Sequence, residues 1–406
     1  MKIKQNIYQN KLIVFLFIII VVLCSGHAFQ TFIWQIEYLP VLGVGLLSIP
    51  IVNQFLYKTL DVYTGSLLIF ILMILATFVA NMDKNIRYYF LFSCIIMTAF
   101  GISLVYSFKE MRKVYLKIMD VVALVGVLGY FLINNTAVLN FLPRIVNVNG
   151  VEYSVGIIFN SINTIPERNC GMFWEPGLFA TYLIIALVIE ITYKEEKINY
   201  IRIVIYSVGI FTAHSSAGYA LWFFCILLYL TRSKTVYKKN ISKHIVIKVI
   251  QFILFLVLII IVLNYDTIIY STSLANSEYI QKLLPENISN SLRALAVQHN
   301  LNIFFENPIF GAGITDVLSQ IKYVADTSTS TYLLSIYGVL GVVHTILWIY
   351  VIFKDKKTNL YSKILLLIIF MSILNKEPHT NLMFMWCFLF WLLKESRVNR
   401  GYGRGI

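Results

Sequence analysis

Long apolar runs alternate with short polar stretches along this chain, and most of the runs have the length of a membrane crossing. They fall at 12–29, 36–53, 64–81, 87–106, 117–135, 176–193, 200–213, 216–231, 245–264, 331–353, 361–375 and 380–393. A helix rises ~1.5 Å per residue, so ~20 apolar residues cross a hydrocarbon layer ~30 Å thick. The pattern predicts about twelve transmembrane helices. Most intervals between the runs are short, and two are not: 136–175 and 265–330. Connections of that length are uncommon unless they carry function or remain disordered. The second contains an amphipathic pattern at Asn287 to Phe305, with Ser289 or Ser291 as a cap and Leu292, Leu295, Ala296, His299 and Ile303 on one face. Asn307-Pro308 ends that helix, Gly311-Ala312-Gly313 makes a turn, and the whole predicts a helix lying along a membrane surface.

The basic residues decide which side each interval faces. Lys and Arg are costly to translocate, so short loops rich in them stay in the cytoplasm. All but eight of the 33 Lys and Arg fall in alternate intervals and the two termini. The expected architecture is therefore an all-α polytopic membrane protein, with both termini cytoplasmic and two large outer loops. It divides into helices 1–5 (residues 1–135), an outer loop (136–175), helices 6–9 (176–264), a large outer loop with the amphipathic helix (265–330), and helices 10–12 with a cytoplasmic tail (331–406). The basic start and Leu23-Cys24 have a faint likeness to a lipoprotein signal, but Leu23 is too bulky before such a cysteine, and an uncleaved first helix is expected.

Composition excludes a soluble fold, because a chain with 59% hydrophobic and 13% charged residues cannot cover itself with polar surface. The net charge of +13 reads as a topology determinant facing anionic headgroups, and no basic stripe suggests nucleic acid. The five cysteines show no paired spacing for zinc or redox chemistry, and only Cys170 falls in an outer loop. No internal repeat divides the chain into transporter halves.

The two outer loops hold nine of the 20 acidic residues. The sharpest string is Arg168-Asn169-Cys170-Gly171-Met172-Phe173-Trp174-Glu175-Pro176-Gly177, where Glu175 stands just before a proline suited to the first position of a helix. Arg168 lies close enough in sequence either to share a polar pocket with Glu175 or to pin the loop to the helix end as a simple ion pair. His214 and His379, the latter after Lys376-Glu377-Pro378, start spans from the outer side. His299 reads first as interfacial packing, and His344, inside a span, as a hydrogen-bonded group between helices. Glu190 and Asp120 are expected to face water at cytoplasmic span ends. No His, Cys or carboxylate spacing forms a metal site, and neither a phosphate-cradling Gly loop nor an Asp-x-Asp pair for a nucleotide sugar is present.

At the Arg168 to Gly177 string the chain resembles the Wzy-type O-antigen and capsular polysaccharide polymerases of the O-antigen ligase superfamily, where an outer Arg, a Gly and a Glu-Pro pair lead into a membrane helix. Three further stretches carry the likeness. Arg293 followed by Asn307-Pro308-Ile309-Phe310-Gly311-Ala312-Gly313 looks like that family's arginine helix and turn. Ser330-Thr331-Tyr332-Leu333-Leu334 through Gly338 and Gly341 is similar to the helix closing its large loop. Thr212-Ala213-His214-Ser215-Ser216-Ala217-Gly218 is the weaker match. One departure is Asp326-Thr327-Ser328-Thr329, where many ligase-like members have a His-Asn pair.

The resemblance implies polymerisation of polyprenyl-diphosphate-linked oligosaccharide units at the outer face of the membrane, without metal or cofactor. Its partners would be the lipid-linked donor and acceptor, the bilayer, a chain-length regulator and a flippase. Arg168, Glu175 and Arg293 are then the expected catalytic residues, and His214, His299, Glu377 and His379 the expected substrate-binding ones. A guanidinium offers paired donors to phosphate oxygens, and a carboxylate or histidine can take the acceptor's proton. The general base stays open, with Glu175 the first choice. Two alternatives are a ligase, disfavoured by the missing His-Asn, and a non-catalytic lipid-linked oligosaccharide flippase, disfavoured because charge concentrates in outer loops rather than in the spans.

The charge alternation is tested by single cysteines in a cysteine-free background. Asn149→Cys and Asn287→Cys should react with an impermeant thiol reagent in whole cells, and Ser242→Cys only after permeabilisation. Labelling of Ser242→Cys in intact cells would invert the orientation.

Overall fold

The computed structural model describes residues 11–31, 34–57, 61–133, 142–147, 150–193, 198–236, 288–320, 328–355, 358–377 and 379–401. The expected ninth span at 245–264, Asn287, Asp326 and Pro378 lie outside the described residues. The first half runs through α1 (Lys11–Leu23), α2 (Leu39–Tyr57), α3 (Val62–Asn81), α4 (Ile86–Val105) and α5 (Phe108–Ile133). Three short strands follow, β1 (Arg144–Val146), β2 (Glu152–Val155) and β3 (Asn160–Ile162). Next come α6 (Pro176–Val188), extended by a π turn at Ile189–Tyr193, then α7 (Tyr200–Thr212) and α8 (Ser216–Val236). The last part comprises α9 (Ile288–Glu306), α10 (Gly313–Gln320), α11 (Thr329–Tyr337), α12 (Val342–Lys354), α13 (Leu360–Lys376) and α14 (Met383–Gly401).

Among the described residues, six stretches are long and apolar enough to cross a membrane: Ile36–Tyr57, Val62–Asn81, Ile86–Val105, Phe108–Leu132, Pro176–Tyr193 and Thr329–Lys354. Large apolar side chains stand exposed along the first four, among them Leu56, Leu72, Val79 and Phe131. A surface of that kind is stable against hydrocarbon rather than water. In the middle of the bundle lies α6, with every residue from Pro176 to Val188 buried. It packs on α5, α7 and α8. A helix apolar on all sides belongs at such a centre.

Several boundaries differ from the sequence expectation. The first helix ends at Leu23, and Ala28–Thr31 forms a separate short turn. The expected outer loop 136–175 carries a small antiparallel sheet in the order β1-β2-β3, with Arg144 opposite Ser154 and Tyr153 opposite Ile162. Glu152-Tyr153-Ser154-Val155 supplies the strand-forming aromatic and β-branched residues. The expected span 331–353 is broken at Gly338–Gly341, where the chain narrows to a 3-10 turn.

That break is where the turn after α9 docks. Gly311 (φ +68°) and Gly338 (φ +62°) take left-handed conformations against each other's strands of chain. A Cβ on Gly311 would lie 2.2 Å from the Ile336 carbonyl oxygen, and one on Gly338 would lie 2.5 Å from that of Ile309. The close approach lets Ala312 N donate to Ser335 O (2.9 Å) and Val339 N to Pro308 O (2.7 Å). On its other side the turn is held by Asp83, between α3 and α4. Its carboxylate accepts from Tyr89 Oη (2.9 Å), Thr315 N (3.1 Å) and the Thr315 hydroxyl. Thr77 Oγ1 adds a bond to Phe310 O (3.0 Å).

The two ends of the bundle are internally consistent. Intervals that the charge pattern assigns to the outer side touch one another: 83 with 315, 27 with 157, 169 with 212, and 177 with 376. Those assigned to the inner side do the same at the opposite end, where Lys394 Nζ donates to Leu104 O (3.1 Å) and Thr231 Oγ1 bonds Ser362 Oγ (2.8 Å). There Glu190 does not face water as expected, while the Asp120 side chain stays 34% exposed. Arg202 donates to Asp120 (2.8 Å) and to Glu190 (3.2 Å), and Glu190 is wholly buried, with its Oε1 accepting from Asn199 N (2.6 Å). The π turn carries Glu190 into the bundle.

Burial alone would raise the Asp83 carboxyl, but hydrogen bonds from Thr315, Asn85 N and Tyr89 outweigh it and hold the group below the usual carboxylate range. Its contribution is therefore present at neutral pH and is lost as pH falls through the lowered value. Asp83→Ala should cost about 2 kcal/mol by leaving buried donors unmatched, and should free the 308–320 segment to limited proteolysis at neutral pH. Unchanged protease resistance and melting temperature would count against the clamp.

Candidate functional site

Glu175 is placed by a chain of backbone bonds. Trp174 N donates to Gly26 O (3.1 Å), Tyr153 Oη to Trp174 O (2.8 Å), and Asn160 Nδ2 to Phe173 O (2.8 Å). These fix the step at which the loop turns into α6, with Glu175 extended at the N-cap and Pro176 at the first helical position. The Glu175 side chain makes no capping bond. It faces the end of α13, where the Glu377 carboxyl acts on it at hydrogen-bond range.

Lys376 and Glu377 close this cluster from the other side. Lys376 is buried, and its Nζ donates to Gly177 O (3.0 Å) and Ser215 Oγ (3.2 Å) and lies 3.5 Å from Glu377 Oε1. Only a glycine admits this arrangement at 177, since a Cβ there would sit 2.7 Å from Glu377 Oε1 and 3.4 Å from Lys376 Nζ. Thr329 ties the turn after Glu377 to α11: its Oγ1 donates to Glu377 O (2.9 Å) and accepts from His379 N (2.7 Å). Ser328, the N-cap of α11, donates to Asn375 Oδ1 (2.8 Å).

Arg293, half-buried on α9, is the further cation acting on Glu175, Glu377 and Lys376. It arrives there because α9 packs on α11. The packed face overlaps the expected one: Ala296 and Ile303 are buried as expected, Asn300 is buried with them, and Leu295 is 50% exposed. Asn300 Nδ2 donates to Thr331 Oγ1 (3.3 Å), and Ser335 Oγ to Asn300 Oδ1 (3.3 Å). Arg293 and Asn300 flank this face, so polar contacts as well as apolar ones orient the helix where it docks on α11.

Two carboxyls within hydrogen-bond reach hold one proton between them. Burial and the neighbouring Glu377 charge push Glu175 well above the usual carboxylate range. Burial opposes charge on Glu377 too, but the bond from Glu175 and the cations Lys376 and Arg293 outweigh it and hold Glu377 below that range. Burial drives the His379 imidazole down to about 4, so it is neutral at physiological pH. Buried polar atoms that lack a hydrogen-bond partner among the described residues include Glu377 Oε1, both ring nitrogens of His379, Thr380 Oγ1 and Ser330 Oγ, and, on α9, His299 Nε2. Unmatched buried polar atoms are costly and rare. An apolar cleft inside the bundle is lined by Val21, Ile118, Met172, Phe173, Tyr182 and Phe384.

Of the residues expected from sequence, Glu175, Arg293, Glu377 and His379 come together. Arg168 does not pair with Glu175. Its Nε reaches Ala213 O (3.4 Å) on the Thr212–Ser216 turn, the turn whose Ser215 also binds Lys376. His214, in a left-handed conformation (φ +47°), is bonded to Tyr130 Oη (3.1 Å) and Tyr219 Oη (3.4 Å). His344 accepts from Trp348 Nε1 within its own helix (3.2 Å) rather than from a neighbouring one. Lys376, Gly177 and Ser215 are members that sequence reasoning missed. The signal for Lys376 was present, as a lysine on the side that the charge pattern keeps poor in cations. Among the described residues no group of His, Cys, Asp and Glu has the arrangement of a metal site.

Compared with known proteins, the chain matches no family model and no curated sequence.

Gly177→Ala should displace the Glu377 carboxyl and weaken its contact with Lys376, at a cost of about 1–3 kcal/mol for overfilling a packed site. Thermal unfolding of the purified protein in detergent checks this. A variant with the wild-type melting temperature would mean that the cluster is looser than the geometry requires.

Proposed function

We propose that this chain is a glycosyltransferase that joins oligosaccharide units carried on polyprenyl diphosphate, at the membrane face where α6 begins. The observation that carries the reading is the buried cluster of Glu175, Glu377, Lys376 and His379 with Arg293 beside it. Glu175 and Arg293 belong to two of the four sequence stretches that resemble Wzy-type polymerases, and Ser215, bonded to Lys376, belongs to a third. The apolar cleft that reaches Phe173 suits a hydrocarbon tail, and the unmatched polar atoms of His379 and Thr380 suit sugar hydroxyls.

In this reading the bond between the donor sugar and its diphosphate breaks, and its electron pair leaves with the diphosphate. Arg293, and Arg168 from the neighbouring turn, offer guanidinium donors to the phosphate oxygens as that charge develops. An acceptor hydroxyl attacks the opposite face of the sugar carbon, inverting it, and gives its proton to the carboxyl pair. The charge the leaving group needs comes from the arginines.

The test is incubation of purified protein with a short lipid-linked repeat unit, followed by sizing of the glycan. A ladder is expected, and it should persist in chelator. Arg293→Ala and Arg168→Ala should each lower turnover by roughly 10²–10³-fold, the usual cost of losing a donor to developing charge, at matched protein abundance. Lysine at either position should restore only part, because it lacks the paired donor geometry. A single transfer to a different acceptor without a ladder would indicate a ligase, and no glycan product at all would remove the reading.

A further inference from the structure

The arrangement of the two carboxyls raises a question of proton traffic. Glu175 is half-buried, whereas Glu377 is 2% exposed. Glu377 stands at the first turn of α6, where a Cβ on Gly177 would lie 2.7 Å from its Oε1, so its carboxyl and that of Glu175 act on each other at hydrogen-bond range, an arrangement two carboxyls keep with one proton between them. Glu377 Oε1 accepts no hydrogen bond among the described residues and lies 3.5 Å from Lys376 Nζ. Lys376 in turn is pinned by Gly177 O and Ser215 Oγ, so its charge cannot move away from Glu377.

We propose that Glu175 and Glu377 form a two-carboxyl proton relay, in which Glu175 meets the substrate, Glu377 stores the negative charge, and Lys376 is the positioning residue that keeps it there. The proposal rests on the glycosyl-transfer reading of this site and specifies how its base works. A carboxyl that already holds a proton is a poor base by itself. As the acceptor's O–H bond breaks, its proton passes to the free oxygen of Glu175, and the proton already on Glu175 moves along the hydrogen bond to Glu377. The acceptor oxygen forms the new C–O bond, the diphosphate departs with the electron pair of the old one, and the relay ends with both carboxyls neutral. Loss of one proton to water after product exit resets it.

Facing Glu377 are Glu175 from the start of α6, Lys376 from its own helix, Arg293 from α9 and His379 from the following turn. Tyr153 and Cys170 are the other titratable groups acting near Glu175. Glu377 must be ionised for turnover, and Lys376 favours that state. Lys376→Met should therefore move the acid limb of the kcat profile to higher pH, by roughly one unit or more, the usual effect of an adjacent opposite charge. Lys376→Arg should keep the limb in place. Glu377→Gln should lower kcat by at least about a hundredfold, the scale of general-base catalysis, with KM little changed, because Glu377 acts through Glu175.

The proton itself can be seen without substrate. Infrared spectra of the purified wild-type protein at neutral pH should show a buried carboxylic-acid C=O band that is sensitive to deuterium. The band should be missing in Glu175→Gln. Absence of such a band in the wild type, or its survival in Glu175→Gln, would overturn the relay, as would an acid limb that stays put in Lys376→Met. If Glu175→Gln fails to fold, the wild-type band and the Lys376→Met profile still decide. Failure of the wild type to extend glycan would sink the polymerase reading, while the infrared result would stand apart from it.

Discussion

At the first turn of α6 an ammonium and two carboxyls are held in the least watery part of the molecule, with a guanidinium alongside. Moving ions out of water costs several kcal/mol each, and the cost is recovered only when every charge has its opposite and its hydrogen bonds. Here the recovery is shared by four parts of the chain: the 174–177 step, the Ser215 turn, the end of α13 and Arg293 on α9. None of these could retain its position if another left, since the loss of one ion strands the others at a cost of about 3–5 kcal/mol. The cluster is thus a structural joint as much as a candidate reaction centre, and its rigidity comes from the same bonds that aim its carboxyls.

The opposite end of the bundle has a second joint of the same kind. Arg202 links Asp120 on α5 to Glu190 on the π turn, and Tyr206 Oη adds a bond to Asp120 (2.6 Å). Here the carboxylates find a guanidinium and donors that satisfy them, with Glu190 Oε1 also taken by Asn199 N. The site end differs because Glu377 Oε1 and the His379 ring nitrogens are left unmatched. One network is closed and the other has capacity to spare, and spare polar capacity inside a protein is what a ligand uses.

Between the two joints, helix packing carries position over distance. Asp83 and Thr77, at the outer end of α3, hold the turn after α9, and that turn sits in the break between α11 and α12. Arg293 therefore reaches the carboxyls on a helix secured at its far end by glycine contacts and near its middle by Asn300. A loop arginine without that anchoring would have to be ordered at the moment of binding, at an entropic cost. The anchoring also explains why two glycines and a proline recur around residues 308–338, where backbone passes backbone at distances no side chain allows.

Hydrophobic length and charge alternation were enough to read the class of protein, the approximate position of its helices and the sorting of its loops into two sets, because solvation of a span depends only on its own residues. Glu175, Arg293, Glu377 and His379 were legible as candidates, since a charged group in an outer loop or beside an apolar span stands out by itself. Their partners were not. Pairing Glu175 with Glu377 rather than Arg168 depends on how α6 and α13 meet, and the buried state of Glu190 depends on a π turn that no local pattern announces. Which side of α9 turns inward was legible only in part for the same reason: Ala296 and Ile303 are buried as the pattern has it, but Asn300 joins them and Leu295 does not, through contacts on α11 that lie far away in sequence. Residue types set where charge can be afforded, and only the packing of distant helices decided which charges share a proton.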